Sequence, residues 1–375
     1  MSNVAITGTG VYAPPSVISN DELAASFNAY VEATNLAHAD AIARGERPRL
    51  EPSSAEFIFK ASGIKRRHVT DRAGILDPAI MAPRIPNRPN DEPSLQCEMA
   101  VAAARGALAQ AGAEASSIDG VLVACSNHQR AYPAIAVEVQ AALGASGVAF
   151  DMNVACSSAT FGIAMARDMV AQGTARRVLV VSPEICTAHL NFRDRESHFI
   201  FGDACSAVLV EPLDTTTAPG AYEILGTRLM TKFSNAIRNN AGFLDRCAAP
   251  EVRDASDRLF VQQGRKVFKE VSPAVAELIT SHLAEVGIAP TALRRLWLHQ
   301  ANLTMNQWIA TKVLGREPTA EESPNVLDEY GNTSSCGSIL VFHDRRDDMN
   351  VGDLGIVCSF GAGYSIGNLI VRRAR

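Results

Sequence analysis

Cys156, His299 and Asn332 are the side chains of this sequence whose types and settings could carry covalent acyl chemistry. Cys156 lies in Asp151-Met-Asn-Val-Ala-Cys-Ser-Ser-Ala-Thr-Phe-Gly, His299 opens His-Gln-Ala-Asn302, and Asn332 follows Gly331 in Gly-Asn-Thr-Ser-Ser-Cys-Gly-Ser. A thiolate attacks carbonyl carbons and holds the product as a thioester. With such a nucleophile, a Cys-His-Asn set permits two jobs. In a hydrolase Asn orients His, which deprotonates Cys. In a carbon–carbon condensing enzyme neutral His and Asn instead donate hydrogen bonds to a thioester carbonyl and stabilise the enolate left by loss of a carboxylate. Taken singly, each residue has a plainer reading: a buried structural thiol, a core-lining histidine, an Asx turn.

The elements around them decide how they are held. The apolar run 147–150 predicts a buried strand, and the small-residue stretch 157–171, stopped by Gly173, predicts a helix. Cys156 then sits at a helix N-terminus, where unpaired N–H groups and the macrodipole are expected to lower its pKa. His299 ends the apolar run 295–299 and precedes a helix over 304–314. Elsewhere strands are expected at 3–12, 120–125, 177–182, 201–211, 222–225, 355–360 and 368–373. Helices are expected at 21–35, 94–111, 132–143 and 261–286. Gly8 and Gly10 lack the third glycine of a dinucleotide loop and run into Pro14-Pro15, so they read as strand and turn. Segments 38–56 and 70–93, rich in Pro and charge, read as surface excursions. Alternating strands and helices with continuous apolar strands give an α/β layered fold. Phe201-Gly-Asp and Phe360-Gly361 each precede a strand, a loose echo that points to internal duplication with a site between the halves. The composition shift at 212–219 separates them as 1–212 and 213–375.

Composition narrows the function classes. With 47% hydrophobic and 20% charged residues, 375 residues can build a large core. A net charge of −5 without basic runs argues against nucleic acid, and no apolar run reaches membrane-spanning length. The N-terminus lacks a basic segment followed by an apolar one, and the eight scattered cysteines include no Cys-x-x-Cys pair. Both features predict a cytoplasmic protein without disulfides or a metal site. His189, Asp194 and His198, with Arg193 and Arg195, form a polar loop that reads as solvated or as an interface, and Glu184 and Asp203 as carboxylates anchoring turns. Cys336 reads as a packed thiol.

Seven segments in order carry a family resemblance: Ser62-Gly-Ile-Lys-Arg-Arg-His68, 151–162, Phe201-Gly-Asp203, Gly264-Arg-Lys-Val-Phe-Lys269, His299-Gln-Ala-Asn302, Gly331-Asn-Thr-Ser334 and the glycine-rich 361–367. On these the chain resembles the β-ketoacyl-acyl-carrier-protein synthase III group of the thiolase superfamily. The resemblance implies a five-layered αβαβα fold of two duplicated halves, a homodimer, and no cofactor beyond coenzyme A thioester as substrate. It implies that Cys156 takes an acyl primer from acyl-CoA, and that His299 and Asn332 bind and decarboxylate malonyl-acyl carrier protein. The backbone N–H groups of Cys156 and Ala362 would form an oxyanion hole. Phe360 would pack beside the thiol and Asn302 would line the pantetheine tunnel, with Arg265 also at the substrate. Lys269 and Lys266 would dock the carrier.

Departures from the family pattern matter too. Phe57 and Ala61 stand where a Trp and an Arg usually hold the adenine, which predicts altered coenzyme A binding. Thr304 replaces a carrier-docking Arg, and Ala362 a glycine, which would restrict the backbone if φ were positive there. Tyr132 stands where acetyl-primed enzymes carry a Phe that crosses the dimer and limits primer length. Extra residues near 28–56 and 230–258 add to this, and together they predict a medium-chain primer. The rival readings are a non-decarboxylating condensation, for which the sequence offers no evident carboxylate base, an ester-forming acyltransferase, and a non-catalytic binding protein on the same scaffold.

Overall fold

The computed structural model describes residues 3–247 and 256–375. The first half begins with β1 (Val4–Tyr12) and β2 (Val17–Ser19), then α1 (Asn20–Ala37), α2 (Ala39–Ala43), α3 (Ala55–Ser62), β3 (Arg66–His68) and α4 (Arg72–Leu76). It continues through α5 (Leu95–Ala111), β4 (Gly120–Ala124), α6 (Ile135–Leu143), β5 (Val148–Met152), α7 (Ser158–Gln172), β6 (Val178–Ile185) and β7 (Asp203–Pro212). The second comprises β8 (Tyr222–Ser234), β9 (Ile237–Arg238), β10 (Val261–Gln262), α8 (Gly264–Glu285), β11 (Leu293–Leu298) and α9 (Leu303–Leu314). It ends with α10 (Leu327–Tyr330), α11 (Gly337–Asp344), β12 (Leu354–Gly361) and β13 (Gly363–Arg373). Part of the extra segment near 230–258 lies outside the described residues.

Among the described residues nine strands form one sheet, ordered β11-β12-β13-β8-β1-β7-β6-β4-β5. Its two wings repeat each other. β1–β7–β6 are antiparallel and β6–β4 parallel; β8–β13–β12 are antiparallel and β12–β11 parallel. Side chains alternate across a strand, so each wing has two apolar faces to cover. Leu122, Val180 and Val357 join α7 and α11 in a central core. Val121, Val123 and Val181 join α5 and α6 on one outer side, and Leu296, Leu298 and Ile356 join α8 and α9 on the other. The layers therefore run helix, sheet, helix, sheet, helix, the αβαβα order that the resemblance implied.

Several boundaries differ from the sequence expectation for identifiable reasons. Ser19 and Glu22 form a capping box that starts α1 at Asn20. The helix expected from 132 begins only at Ile135, where the Asp151 carboxylate accepts the N–H groups of Ile135 and Ala136 (2.8 Å each). Residues 361–367, expected as a glycine-rich loop, instead leave Ala362 as the link between two paired strands. Their glycines serve close approach: a Cβ at Gly367 would collide with Thr160 of α7. β8 runs on to Ser234 because β13 pairs with it along its length. Residues 261–262, expected as helix, pair with β9. Gly8 and Gly10 belong to β1, where any Cβ would meet the α5 backbone.

Candidate active site

β5 delivers the chain to a single tight turn, Ala155–Ser157, that leads directly into α7 and carries Cys156. Ala155 takes a positive φ of 47°, a strained conformation costing on the order of 1–3 kcal/mol. Side chains on both sides hold it: Asn153 accepts the Ala155 N–H (2.9 Å) and Ser158 accepts the Val154 N–H (2.8 Å). The second half repeats the device, with Ser334 at φ 50° opening the turn Ser334–Cys336 before α11. Glu184, buried between the halves, ties the second turn down by accepting from the N–H of Ser335 (3.2 Å) and of Ser126 (2.9 Å).

The thiol itself departs from expectation. Burial pushes Cys156 up to about 11. The Ser334 hydroxyl and the backbone N–H groups of Ala362 and of Cys156 favour the thiolate but do not offset the lost hydration. A helix terminus is a local feature and burial a tertiary one, and here burial is the larger. Gly361 lies so close that a Cβ there would stand 2.6 Å from the Cys156 Cβ and 2.9 Å from its Sγ. The positive φ of this link falls on Gly363 (129°) and not on Ala362, so alanine at 362 carries no backbone strain.

His299 follows β11, its N–H donating to the Cys358 carbonyl (2.8 Å). Its ring stands edge-on to Phe360, centroids 5.4 Å apart. Burial alone lowers its pKa to about 4, so the imidazole is neutral at pH 7. Asn332 is anchored to the first half through its backbone: its N–H donates to Ile200 O (3.0 Å) and its carbonyl accepts from the Gly202 N–H (3.1 Å). Its Oδ1 accepts the Ser334 N–H (2.9 Å), which leaves the amide Nδ2 as a free donor.

These three residues line one cavity of about 390 Å³, together with Phe360, Gly361, Phe57 and Asn302. Asn302 also caps α9, accepting the Met305 N–H (3.2 Å) while its Nδ2 donates to Ala61 O (2.7 Å). Thr304 lines the wall beside it. Arg265, Lys266 and Lys269 are exposed on the first turns of α8, and Arg265 is not part of the lining as expected, because Gly264 and Phe268 face the cavity instead. Tyr132 is 79% exposed and lies outside the cavity of its own chain. Asp203 anchors turns as read, accepting from the N–H groups of Thr70 (2.8 Å) and Thr187 (2.9 Å). Cys336 is fully buried.

One pairing escaped the sequence reading. The Arg195 guanidinium stacks 4.0 Å over the Phe57 ring at the cavity mouth. Its Nε donates to Pro52 O (2.8 Å), so the extra segment near 28–56 holds it there. Glu196, the neighbouring carboxylate in the lining, has a side chain 76% exposed and pairs with Arg195 (3.2 Å). His198 stacks on Phe27 with centroids 4.4 Å apart, and among the described residues no three His, Cys, Asp or Glu side chains converge as metal ligands.

Burial also makes the fold sensitive to acid. His189, His198, His282 and His299 are each lowered to about 4, against about 6.5 in the unfolded chain. Between these values the unfolded state binds more protons, so the stabilising contribution is full above pH 6.5 and is lost as pH falls toward 4. The urea midpoint is expected to drop between pH 7 and pH 5. His198→Phe, which keeps a ring against Phe27, should recover up to about 2 kcal/mol of that loss; an equal drop in both proteins would refute the assignment.

Comparison with known proteins agrees with this architecture. Residues 150–232 match the 3-oxoacyl-[acyl-carrier-protein (ACP)] synthase III family, and residues 283–373 match its C-terminal family. A beta-ketodecanoyl-[acyl-carrier-protein] synthase of Pseudomonas aeruginosa is 59% identical over 348 residues, covering 93% of this chain and 99% of that protein. A beta-ketoacyl-[acyl-carrier-protein] synthase III of Roseiflexus castenholzii is 29% identical, covering 98% of this chain and 97% of its own. The crystal structure of the 3-oxoacyl-(acyl carrier protein) synthase III of P. aeruginosa superimposes with a TM-score of 0.76 at 23% identity, over 100% of this chain and 99% of that one. The thiolase-like layers, and sequence identity sustained over nearly the full length, lead to one conclusion: the chain belongs to the β-ketoacyl-[acyl-carrier-protein] synthase III family of acyl-transferring condensing enzymes.

Proposed function

We propose that the protein joins a medium-chain acyl primer to a malonyl unit by decarboxylating Claisen condensation. One observation carries this reading: a thiol, a neutral imidazole and a carboxamide with a free Nδ2 line the same buried cavity. The Cys156 sulfur attacks the thioester carbonyl of acyl-CoA, releasing coenzyme A and leaving acyl-Cys156. With the thiol near 11, its proton leaves as the S–C bond forms, and His299 is the nearby neutral base able to assist. The N–H groups of Cys156 and Ala362 receive the oxyanion of the tetrahedral intermediate.

Malonyl-carrier protein then binds with its thioester oxygen facing His299 and Asn332. Loss of CO2 places an enolate on that oxygen, where two preorganised donors in a largely apolar cavity stabilise it. The enolate carbon attacks acyl-Cys156, forming β-ketoacyl-carrier protein and returning the thiolate, which takes up one proton. A neutral imidazole suits donation to the enolate and gives no reason to assign a permanent thiolate–imidazolium pair. The relative's name, beta-ketodecanoyl synthase, supports an eight-carbon primer, because malonyl contributes the other two carbons. A non-decarboxylating condensation would need a buried carboxylate base, and Glu196 is exposed and paired.

The two halves, 1–212 and 213–375, divide the labour, nucleophile in one and donors in the other. The Phe57–Arg195 stack provides a planar jaw for the adenine of coenzyme A. Arg195→Ala should raise KM for acyl-CoA about three- to thirtyfold while sparing a truncated pantetheine thioester; equal losses on both would remove that role. Lys266 and Lys269, with Arg265, offer cations to an acidic carrier beside the mouth. The outer edge of β5, with Val148, Phe150 and nearby Tyr132 exposed, has no neighbouring strand among the described residues and is suited to a second copy of the chain. No helix among the described residues is long and apolar enough to cross a membrane, and the cysteines are free, which supports a cytoplasmic enzyme. Purified protein given malonyl-carrier protein and octanoyl- or acetyl-CoA should release CO2 and a β-ketoacyl product. No CO2 with any primer would end this reading.

A further inference from the structure

The two N–H groups assigned to the oxyanion come from segments far apart in the chain. Cys156 belongs to the turn Ala155–Ser157 of the first half, and Ala362 to the link between β12 and β13 of the second. Such donors act together only when both stand about 2.7–3.1 Å from one oxygen, so the spacing of the two segments has to be fixed by contacts between them. Gly361 brings the link against Cys156 with no room for a Cβ. Close packing of that kind limits approach, but it does not stop the link from drawing away.

Two buried hydroxyls supply the tie. Ser157 and Ser365 are 0% and 1% exposed, and their Oγ atoms lie 2.9 Å apart. The Ser157 hydroxyl donates to the Ser365 carbonyl (3.1 Å). Ser365 Oγ also lies 2.9 Å from the Ala362 carbonyl and 3.2 Å from the Val154 carbonyl. A hydroxyl has one proton to give, and every acceptor in reach belongs to the link or to the nucleophile turn. Ala362 is the residue whose N–H enters the hole. The Val154 carbonyl also receives the Ser157 N–H that closes the turn (3.1 Å). Ser365 itself is fixed in the sheet, paired with Gly361 across the hairpin and with Thr231 of β8.

We propose that Ser365, acting with Ser157, is a positioning residue that sets the separation of the Cys156 and Ala362 N–H groups, and with it the fit of the oxyanion hole to the acyl-transfer intermediate. This rests on acyl loading of Cys156 and on that hole. Loosening the tie moves one donor away from an oxyanion that exists only along the reaction path, so the loss falls on the loading rate and not on acyl-CoA binding. The donors for the enolate are held elsewhere. His299 follows β11, and Asn332 is anchored through its backbone to Ile200 and Gly202, so decarboxylation does not depend on the hydroxyl pair.

The test compares single-turnover loading of Cys156 by octanoyl-CoA, followed as adduct mass against time, with primer-free CO2 release from malonyl-carrier protein. Ser365→Ala should slow the maximal loading rate about 10- to 100-fold. The half-saturating acyl-CoA concentration and the CO2 release should both stay within about threefold of the parent's. Ser157→Ala, which leaves Ser365 in its strand, should show the same split and serves if Ser365→Ala does not fold. Tyr364→Phe is the control: it breaks the hydrogen bond from the same link to Glu270 of α8 (2.7 Å) without touching the nucleophile turn, and should load within about threefold of the parent. Parental loading in a folded Ser365→Ala or Ser157→Ala variant would overturn the positioning role. Parallel losses of loading and CO2 release would do the same, as would a Tyr364→Phe variant as slow as Ser365→Ala. Absence of any adduct on the parent protein would overturn the acyl-loading reading itself, and this role with it.

Discussion

His299→Ala and Asn332→Ala will each accept an acyl group on Cys156 while releasing CO2 from malonyl-carrier protein about 10²–10³-fold more slowly than the parent. The expectation follows from what each side chain is free to do. Asn332 spends its Oδ1 on the Ser334 N–H and has Nδ2 left to donate. The His299 ring is neutral, 1% exposed, and stacked edge-on against Phe360, so it enters the reaction already oriented and without charge. Neither is needed to hold the thiol, which is carried by the turn Ala155–Ser157 that Asn153 and Ser158 pin. Adduct mass after incubation with acyl-CoA, and CO2 release from malonyl-carrier protein, read the two steps separately. Loss of loading in both variants would instead support a hydrolase-like arrangement in which His299 must deprotonate Cys156.

Gly361→Ala is expected to remove most activity while the protein still folds. The added methyl would sit 2.6 Å from the Cys156 Cβ and 2.9 Å from its Sγ, and neither atom can retreat easily, since the turn at Ala155–Ser157 is pinned on both sides. Overpacking of this kind costs about 1–3 kcal/mol. A nucleophile displaced by about 1 Å loses on the order of 10²-fold in rate. Loading of Cys156 should therefore fall at least that far, with a lower thermal midpoint and an unchanged far-UV circular dichroism spectrum. A variant that loads at the parental rate would show that the packing at Gly361 does not position the thiol.

Much of this site was legible in the residues themselves. The apolar run before Cys156 and the small-residue helix after it announced a thiol at a strand-to-helix turn. His299 at a strand end and Asn332 after Gly331 read as polar groups placed at loops, and the cavity holds all three. Other features depend on parts of the chain that no local pattern connects. The thiol's upward shift comes from burial by both halves, so a helix-terminus argument alone gives the wrong sign. The Phe57–Arg195 stack joins two distant loops and is braced by Pro52, within a segment that reads only as polar surface. The glycines of 361–367 have the composition of a loop, yet they form strand because α7 and Cys156 press against them. Ala362 raised a question of backbone strain that only the dihedral angles answer: the positive φ sits one residue later.

The central claim is that primer loading belongs to Cys156 and decarboxylation to His299 and Asn332. Cys156→Ala incubated with malonyl-carrier protein and no primer tests it most directly. The account predicts no acyl adduct under any condition, together with CO2 release within about tenfold of the parent's primer-free rate. Disappearance of CO2 release along with the thiol would contradict it.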